Sequence, residues 1–72
     1  MQIQLDFPLG TRIRMRHPTH NTQQEAVVCA YYAKDDGLYV RFTGASSVYG
    51  LAQSYVNDPL CFRVIRRGNG RD

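Results

Sequence analysis

The sequence predicts a small, mainly β domain with five short strands and one short helix before the last strand. Several segments alternate apolar and polar residues with period two, which is the pattern of half-buried strands. The pair Asp36-Gly37 separates two apolar runs, a strong β-hairpin signal. A chain of 72 residues, 43% hydrophobic and 21% charged, is the size and composition of one globular domain with a thin core.

The first seven residues, Met1 to Phe7, predict a half-buried strand. Four apolar side chains fall at odd positions, and polar side chains fall between them. The segment Pro8-Leu9-Gly10 ends this strand, because proline lacks a backbone N–H and glycine relaxes the backbone.

The second predicted strand, Thr11 to Arg16, has two chemically opposite faces. Ile13 and Met15 point to one side, where they can join a core. The other side carries three cations: Arg12, Arg14 and Arg16.

The middle of the chain predicts a loop followed by a hairpin. Residues His17 to Gln24 are polar and include a proline, which favours a loop. Glu25 to Ala33 is apolar on both faces and predicts a central strand, although which face is buried stays open. After the turn Lys34-Asp35-Asp36-Gly37, residues Leu38 to Thr43 return as a strand. Its inward residues are Leu38, Val40 and Phe42, and its outward residues are Tyr39 and Arg41.

The last third changes period after Gly44. Apolar residues between Ser46 and Asp58 fall at offsets 0, 3, 4, 7 and 8, which predict a helix of two to three turns. Asn57-Asp58-Pro59 ends that helix, and Leu60 to Arg66 forms the last strand. We expect one domain over residues 1–67 and a flexible tail over residues 68–72.

This order of elements resembles the SH3-like small barrel along nearly the whole ordered chain. The segment Gly10-Thr11-Arg12-Ile13-Arg14 is similar to the Gly-x-x-Val opening strand of many such barrels. The resemblance implies a strongly bent five-stranded sheet; a helix packed on an open antiparallel sheet is the alternative. Because SH3-like barrels bind nucleic acids, peptides or methylated lysines, the fold does not select one function.

Within that superfold, the same segment and the hairpin Val27 to Phe42 are similar to the plasmid-encoded type II dihydrofolate reductases. Those enzymes are tetramers whose pore is lined by a Val-Gln-Ile-Tyr segment. The nearest stretch here, Ser47-Val48-Tyr49-Gly50, lacks the Gln and the Ile. The resemblance therefore implies the fold and not the reductase activity.

Charge gives the candidate site. The net charge is +3, and eight of the nine basic residues are arginine, whose planar guanidinium group binds phosphate in a bidentate manner. If neighbouring strands pair as expected, one sheet face becomes a nucleic-acid-binding surface made of Arg12, Arg14, Arg16, Tyr39, Arg41 and Arg63. The alternative is a solvated face whose charges keep an edge strand from aggregating.

Other kinds of site find little support. A peptide groove or a methyl-cation cage could be lined by the rings Tyr31, Tyr32, Tyr39, Phe42, Tyr49 and Tyr55. The favoured interpretation is that Phe42, Tyr55 and one of Tyr31 or Tyr32 fill a small core. His17 and His20 lack the converging partners of a zinc site, so no metal or cofactor is expected. Cys29 and Cys61 sit in strand-like runs and are expected to be free thiols of a cytoplasmic protein. No leader or membrane-spanning run is evident.

The sequence thus favours a non-enzymatic, basic module that binds nucleic acid through an arginine-rich sheet face. No carboxylate pair or nucleophile constellation suggests catalysis. The alternative is a protein-interaction or self-assembly module, a homo-oligomer from a phage, plasmid or other mobile element. Both alternatives stay open at the level of sequence.

Overall fold

A computed structural model describes residues 3–16 and 22–71 as one five-stranded antiparallel sheet with two one-turn helices. Its strand order is β4-β3-β2-β1-β5, so β1 lies between β2 and β5, and the edges are β4 and β5. The predicted fold class is confirmed: the chain is mainly β, with a short helix before the last strand. The elements are α1 (Ile3–Asp6), β1 (Arg12–Arg16), β2 (Gln23–Tyr31), β3 (Gly37–Phe42), β4 (Val48–Ala52), α2 (Gln53–Val56) and β5 (Phe62–Arg66).

The core lies on one face of this sheet. In β1, Ile13 and Met15 are buried while the arginines between them are exposed, as the alternation predicts. In β3, the three residues predicted to face inward are also buried. The buried apolar set is Ile3, Ile13, Met15, Ala26, Val28, Leu38, Val40, Phe42, Leu51, Val56 and Phe62. In β2, Ala26 and Val28 belong to this set, which settles which face of that strand is buried.

The β2–β3 hairpin is confirmed. The Tyr32 N–H donates to the Gly37 carbonyl oxygen at 3.0 Å, and Asp35 adopts a left-handed conformation (φ 56°) that Asp tolerates in turns. The pairing register shifts between Val28 and Ala30, which makes Cys29 the site of a β-bulge.

The strand predicted over Met1 to Phe7 is wrong in the described residues, where α1 takes its place. The Phe7 N–H donates to the Ile3 carbonyl oxygen at 2.8 Å, which is an i to i+4 helical bond. Alternation at every second residue also contains an i, i+4 pair, here Ile3 and Phe7. Both contact the core, while Leu5 between them is 62% exposed. The period-two pattern was therefore ambiguous over so short a segment.

The helix predicted over Ser46 to Asp58 is half wrong. Residues Val48–Ala52 form strand β4, paired with β3, and only Gln53–Val56 are helical. In β4, Tyr49 and Leu51 pack on the core side, while Val48, Gly50 and Ala52 are exposed. Hydrogen bonding to the otherwise unpaired edge of β3 outweighs the helical spacing of the apolar residues. Gly50 also lowers the helix propensity of this segment.

The end of the chain, predicted as a flexible tail, is hydrogen-bonded to the turn before β1. The buried Thr11 hydroxyl donates to the Pro8 carbonyl oxygen at 2.6 Å and accepts from the Gly68 N–H at 3.0 Å. The Gly70 N–H donates to the Leu9 carbonyl oxygen at 3.0 Å. These bonds fix the backbone that follows β5 against the backbone that precedes β1.

Replacing Gly68 by alanine is expected to destabilise the domain strongly. A Cβ atom at this position would lie 2.3 Å from the Leu9 carbonyl oxygen and 2.3 Å from the Thr11 nitrogen, so backbone must move. Such overpacking costs about 1–3 kcal/mol. The measurement is urea denaturation of Gly68→Ala beside Gly44→Ala.

Gly44 is the matched control because a Cβ there meets nothing within 4 Å, although its φ of +82° is unfavourable for alanine. That conformation alone costs about 1–2 kcal/mol. We expect Gly68→Ala to lose more stability than Gly44→Ala; the reverse order would mean that the tail does not pack closely on the turn.

Two predictions from the sequence concern residues that lie wholly or partly outside the described ranges. The predicted loop His17 to Gln24 is described only from Thr22 onward, where β2 already begins at Gln23. His17 and His20 lie outside the described residues. Within residues 3–16 and 22–71, no helix has the length and apolar character needed to cross a membrane.

Candidate nucleic-acid interface

Arginines face each other across the pairing of β1 with β5. Arg14 is opposite Arg63, and Arg12 is opposite Arg66. Residues directly opposite in an antiparallel pair share a face, with Cβ atoms about 4.5–5.5 Å apart, and like charges in such pairs are destabilising. All four side chains are exposed. The fold therefore holds two like-charge pairs side by side on its outer surface.

A β-bulge in β5 is what brings Arg66 into this set. Arg63 and Arg66 are three residues apart, so a regular strand would turn them to opposite faces. The register shifts between Arg12 and Ile13, whose partners are Arg66 and Val64. Ile65 is therefore the extra residue, and Arg66 rather than Ile65 stands opposite Arg12. Sequence alternation missed Arg66 for this reason.

The cations line two adjacent shallow pockets. The first has a volume of about 160 Å³ and is lined by Gly10, Arg12, Arg66, Arg67, Gly68 and Asn69. The second has a volume of about 330 Å³ and is lined by Arg14, Arg16, Gln23, Leu60, Cys61 and Arg63. We call the six arginines of these pockets the arginine surface: Arg12, Arg14, Arg16, Arg63, Arg66 and Arg67.

No carboxylate in the described part of the chain neutralises the paired arginines. Among residues 3–16 and 22–71, the guanidinium groups of Arg12, Arg14, Arg63 and Arg66 make no ion pair or hydrogen bond. Glu25 is the nearest acid in register, opposite Arg14 on the β2 side. The field of positive charge is therefore strongest toward β5, away from Glu25.

The first pocket is tied down by the tail. The Arg67 guanidinium donates to the Leu5 carbonyl oxygen of α1 at 2.7 Å, and the neighbouring Gly68 is bonded to Thr11. The wall formed by Arg67 and Gly68 is thus fixed to the turn that precedes β1. These two bonds, each between a side chain and the backbone, hold that wall beside Arg12.

The remaining predicted site residues lie on the same sheet face but farther from the arginine surface. Arg41 is opposite Val27, which is itself opposite Arg12, so two strand spacings of about 4.8 Å separate Arg41 from Arg12. Tyr39 lies two residues before Arg41 on β3 and is opposite Gly50 on β4. The structure therefore groups Arg12, Arg14, Arg16 and Arg63, and places Tyr39 and Arg41 beside rather than within that group.

Cys61 is a thiol in the wall of the second pocket. Its Sγ donates to the Asp58 carboxylate at 3.5 Å. Partial burial raises the pKa of the Cys61 thiol above its ordinary value; the hydrogen bond and negative charge of Asp58 raise it further, and the nearby Arg16 acts in the opposite direction. Cys61 is therefore a poor nucleophile near neutral pH, and it serves better as a reporter of pocket occupancy.

The alkylation rate of Cys61 is expected to increase with pH beyond the range in which an ordinary cysteine has levelled off. The thiolate is the reactive form, and a raised pKa moves its appearance to higher pH. Asp58→Asn removes the carboxylate and is expected to lower the pKa and to speed alkylation at pH 8. Iodoacetamide rates between pH 7 and 10, measured in a Cys29→Ser background, test this. Equal rates with and without Asp58 would contradict the assigned cause.

A metal site is another kind of binding site, and it needs several converging ligands. Within that part of the chain, no group of three or more His, Cys, Asp or Glu residues could hold a metal ion. Two exposed, unneutralised arginine pairs beside pockets are suited to binding phosphate oxygens through charge-assisted hydrogen bonds. No protein-family model, no curated protein and no solved structure matches this chain.

Proposed function

We propose that this chain is a non-enzymatic binding module that holds the phosphate backbone of a nucleic acid on its arginine surface. The observation that supports this most is the pair of arginine–arginine oppositions between β1 and β5. Each opposition costs stability in the unbound domain, and a bound polyanion offsets that cost. A solvated, purely structural face would gain stability by placing a carboxylate at either position.

The spacing of the cations also suits a polymer rather than a single small anion. Arg12, Arg14 and Arg16 follow one another at every second residue, about 6.8 Å apart along the strand. This is close to the separation of successive phosphates along an extended polynucleotide strand. The two pockets, one at each end of the row, then take neighbouring phosphates.

Fluorescence anisotropy with a labelled 15-nucleotide single strand and with the matching duplex tests the proposal. Binding is expected at 20 mM salt, and it should weaken as salt rises because phosphate contacts release counterions. Four phosphate contacts, one for each of Arg12, Arg14, Arg63 and Arg66, give a slope of log K against log salt of about −2.8 for the single strand and about −3.6 for the duplex. Absence of binding to both probes, or affinity that does not depend on salt, would refute the proposal.

A second measurement of the same binding uses the thiol of Cys61, which lines the second pocket. Bound oligonucleotide is expected to slow alkylation of Cys61, which lines that pocket with Arg14 and Arg63. Cys29 lies outside both pockets, but its Sγ contacts the Tyr39 carbonyl oxygen, so the rates are measured in a Cys29→Ser background. Alkylation of Cys61 at the same rate with and without a saturating concentration of oligonucleotide would argue against binding at the arginine surface.

Self-association is a second candidate function, because edge strand β5 exposes apolar side chains. Val64 and Ile65 are each 47% exposed, at one end of the sheet. An exposed edge of this kind can pair with another chain. Multi-angle light scattering decides this: a dimer or tetramer at all concentrations, without affinity for nucleic acid, would favour self-association over nucleic-acid binding.

A further inference from the structure

Two tyrosines form an aromatic platform on the outer sheet face that phosphate binding does not use. The ring centroids of Tyr32 and Tyr39 are 5.0 Å apart, and their planes are inclined by 52°. Tyr39 is 37% exposed, and Tyr32 is half-buried. The pair therefore presents apolar ring surface to solvent, while the Tyr32 ring packs against the sheet.

Glycines on two strands make this support possible. A Cβ atom at Gly37 would lie 2.5 Å from Cε2 of Tyr32. A Cβ atom at Gly50 would lie 2.7 Å from Oη of Tyr32 and 3.1 Å from Cε1 of Tyr39. Both positions must lack a side chain for Tyr32 to lie against the β3 and β4 backbone. The platform is thus formed before any ligand arrives.

The platform stands at a fixed distance from the arginine surface. Tyr39 shares the outer face of β3 with Arg41, and Arg41 is in register with Val27 and then with Arg12. Tyr39 lies two strand spacings across the sheet from β1 and two residues, about 6.8 Å, along β3 from Arg41, so it is roughly 12 Å from Arg12, the nearest arginine of β1. The half-buried Val27 lies between them, so the intervening surface is partly apolar.

We infer that the nucleic acid bound here is single-stranded, with a base stacked on Tyr39; this inference rests on the proposed function. In a duplex the bases stack on one another inside the helix, and only their edges are accessible in the grooves. The Tyr39 ring is separated from phosphates bound at Arg12 by about the length of one nucleotide. It can therefore stack only with a base that is unpaired and turned outward. Base–aromatic stacking tolerates any sequence, since every base has a π face.

The distribution of charge also favours a phosphate backbone on the β5 side of β1 and bases on the β3 side. The phosphate backbone follows the junction of β1 with β5, where Arg14 faces Arg63 and no described carboxylate intervenes. Glu25, opposite Arg14 on β2, repels phosphate and keeps the backbone off that strand. The bases then extend across β2 toward β3. DNA and RNA single strands share this chemistry.

The test compares Tyr39→Ala with Tyr39→Phe, which keeps the ring and serves as the matched control. Anisotropy is recorded with a 15-nucleotide DNA strand, the RNA of the same sequence, and the DNA duplex. Loss of one stacked base weakens binding by about 5- to 100-fold. We expect that loss for Tyr39→Ala with the DNA strand, the RNA strand or both, near wild-type affinity for Tyr39→Phe, and less than a twofold change with the duplex. Thermal unfolding checks both folds, and Tyr39→Leu replaces Tyr39→Ala if the latter does not fold.

Each outcome decides the inference. A wild-type preference of fivefold or more for a single strand over the duplex, lost in Tyr39→Ala, supports it, and the DNA and RNA arms then show which polymer is bound. Equal affinity for strand and duplex, or equal effects of Tyr39→Ala and Tyr39→Phe, overturns it and leaves the proposed phosphate binding intact. Absence of binding to all three probes at 20 mM salt overturns both.

Discussion

Replacing Arg63 by glutamate is expected to weaken nucleic-acid binding and, at the same time, to stabilise the unbound domain. Arg63 lies opposite Arg14 across the pairing of β5 with β1, so the substitution turns a repulsive cross-strand pair into an attractive one. Opposite charges in such a pair contribute about 0.2–1 kcal/mol, and like charges cost a similar amount. A gain of roughly 0.5–1 kcal/mol raises the Tm of a domain of this size by about 2–8 °C.

The loss of binding should be larger than the gain of stability. One charge-assisted hydrogen bond to phosphate contributes about 1.5–3 kcal/mol, so its removal weakens binding roughly 10- to 100-fold, and the new carboxylate adds repulsion. Anisotropy at 20 mM salt and calorimetric unfolding measure the two effects on one protein sample. A substitution that increases stability while removing function is expected where function requires a destabilising arrangement, so this combination identifies a surface selected for binding.

Lys34→Glu is the matched control for Arg63→Glu because it makes the same change of two charge units. Lys34 is exposed and lies in the turn that links β2 to β3, away from both pockets. We expect it to reduce affinity only slightly, through net charge, and to leave the β1–β5 pair unchanged. Equal losses of affinity for the two variants would show that binding depends on net charge and not on the arginine surface.

Replacing Ile13 by alanine is expected to unfold a large fraction of the molecules at elevated temperature. Ile13 is the second residue of β1 and is fully buried between two exposed arginines. Truncation of a buried isoleucine costs about 2–5 kcal/mol. A domain of this length has a total stability of only about 4–11 kcal/mol. Urea denaturation should therefore show a much lower midpoint for Ile13→Ala.

Arg14→Ala is the matched control for Ile13→Ala, because Arg14 is the next residue and lies on the other face of β1. Arg14 is exposed and faces Arg63, so its truncation is expected to leave stability within about 0.5 kcal/mol or to raise it slightly. Comparable losses for the two neighbours would show that β1 does not divide its side chains between core and surface.

The parts of the fold that were predicted correctly are those in which local pattern and tertiary pairing agree. In β1, strict alternation places Ile13 and Met15 inside and the arginines outside. In the β2–β3 hairpin, the turn residues before Gly37 favour the same pairing that the apolar runs favour. Each of these segments has one structure that satisfies both requirements.

The two incorrect elements are short segments whose apolar spacing fits more than one period. Ile3 and Phe7 are spaced for a helix as well as for a strand, and Pro8 limits the segment to a single turn. Tyr49 and Leu51 alternate as in a strand, although they also fall within a helical stripe. The deciding factor in β4 is a partner strand with an unpaired edge, and local sequence does not contain that information.

The candidate site was predictable in part. Alternation identifies Arg12, Arg14 and Arg16 as one group, and an expected strand pairing adds Arg63. Arg66 joins only through the bulge at Ile65, a one-residue shift in register that a spacing of three does not reveal. Arg67 joins because the chain end is bonded back to α1 and to the turn before β1, a contact between residues about sixty positions apart.

A titration of the isotopically labelled domain with a 15-nucleotide single strand, followed by backbone amide chemical shifts, tests the arginine surface most directly. Perturbations are expected to concentrate in Arg12–Arg16 and in Phe62–Gly68, with Tyr39 added on the neighbouring strand, and to fade as salt is raised. Perturbations centred on the β4 edge, or no perturbation at a saturating concentration in 20 mM salt, would contradict the assignment of this surface to phosphate binding.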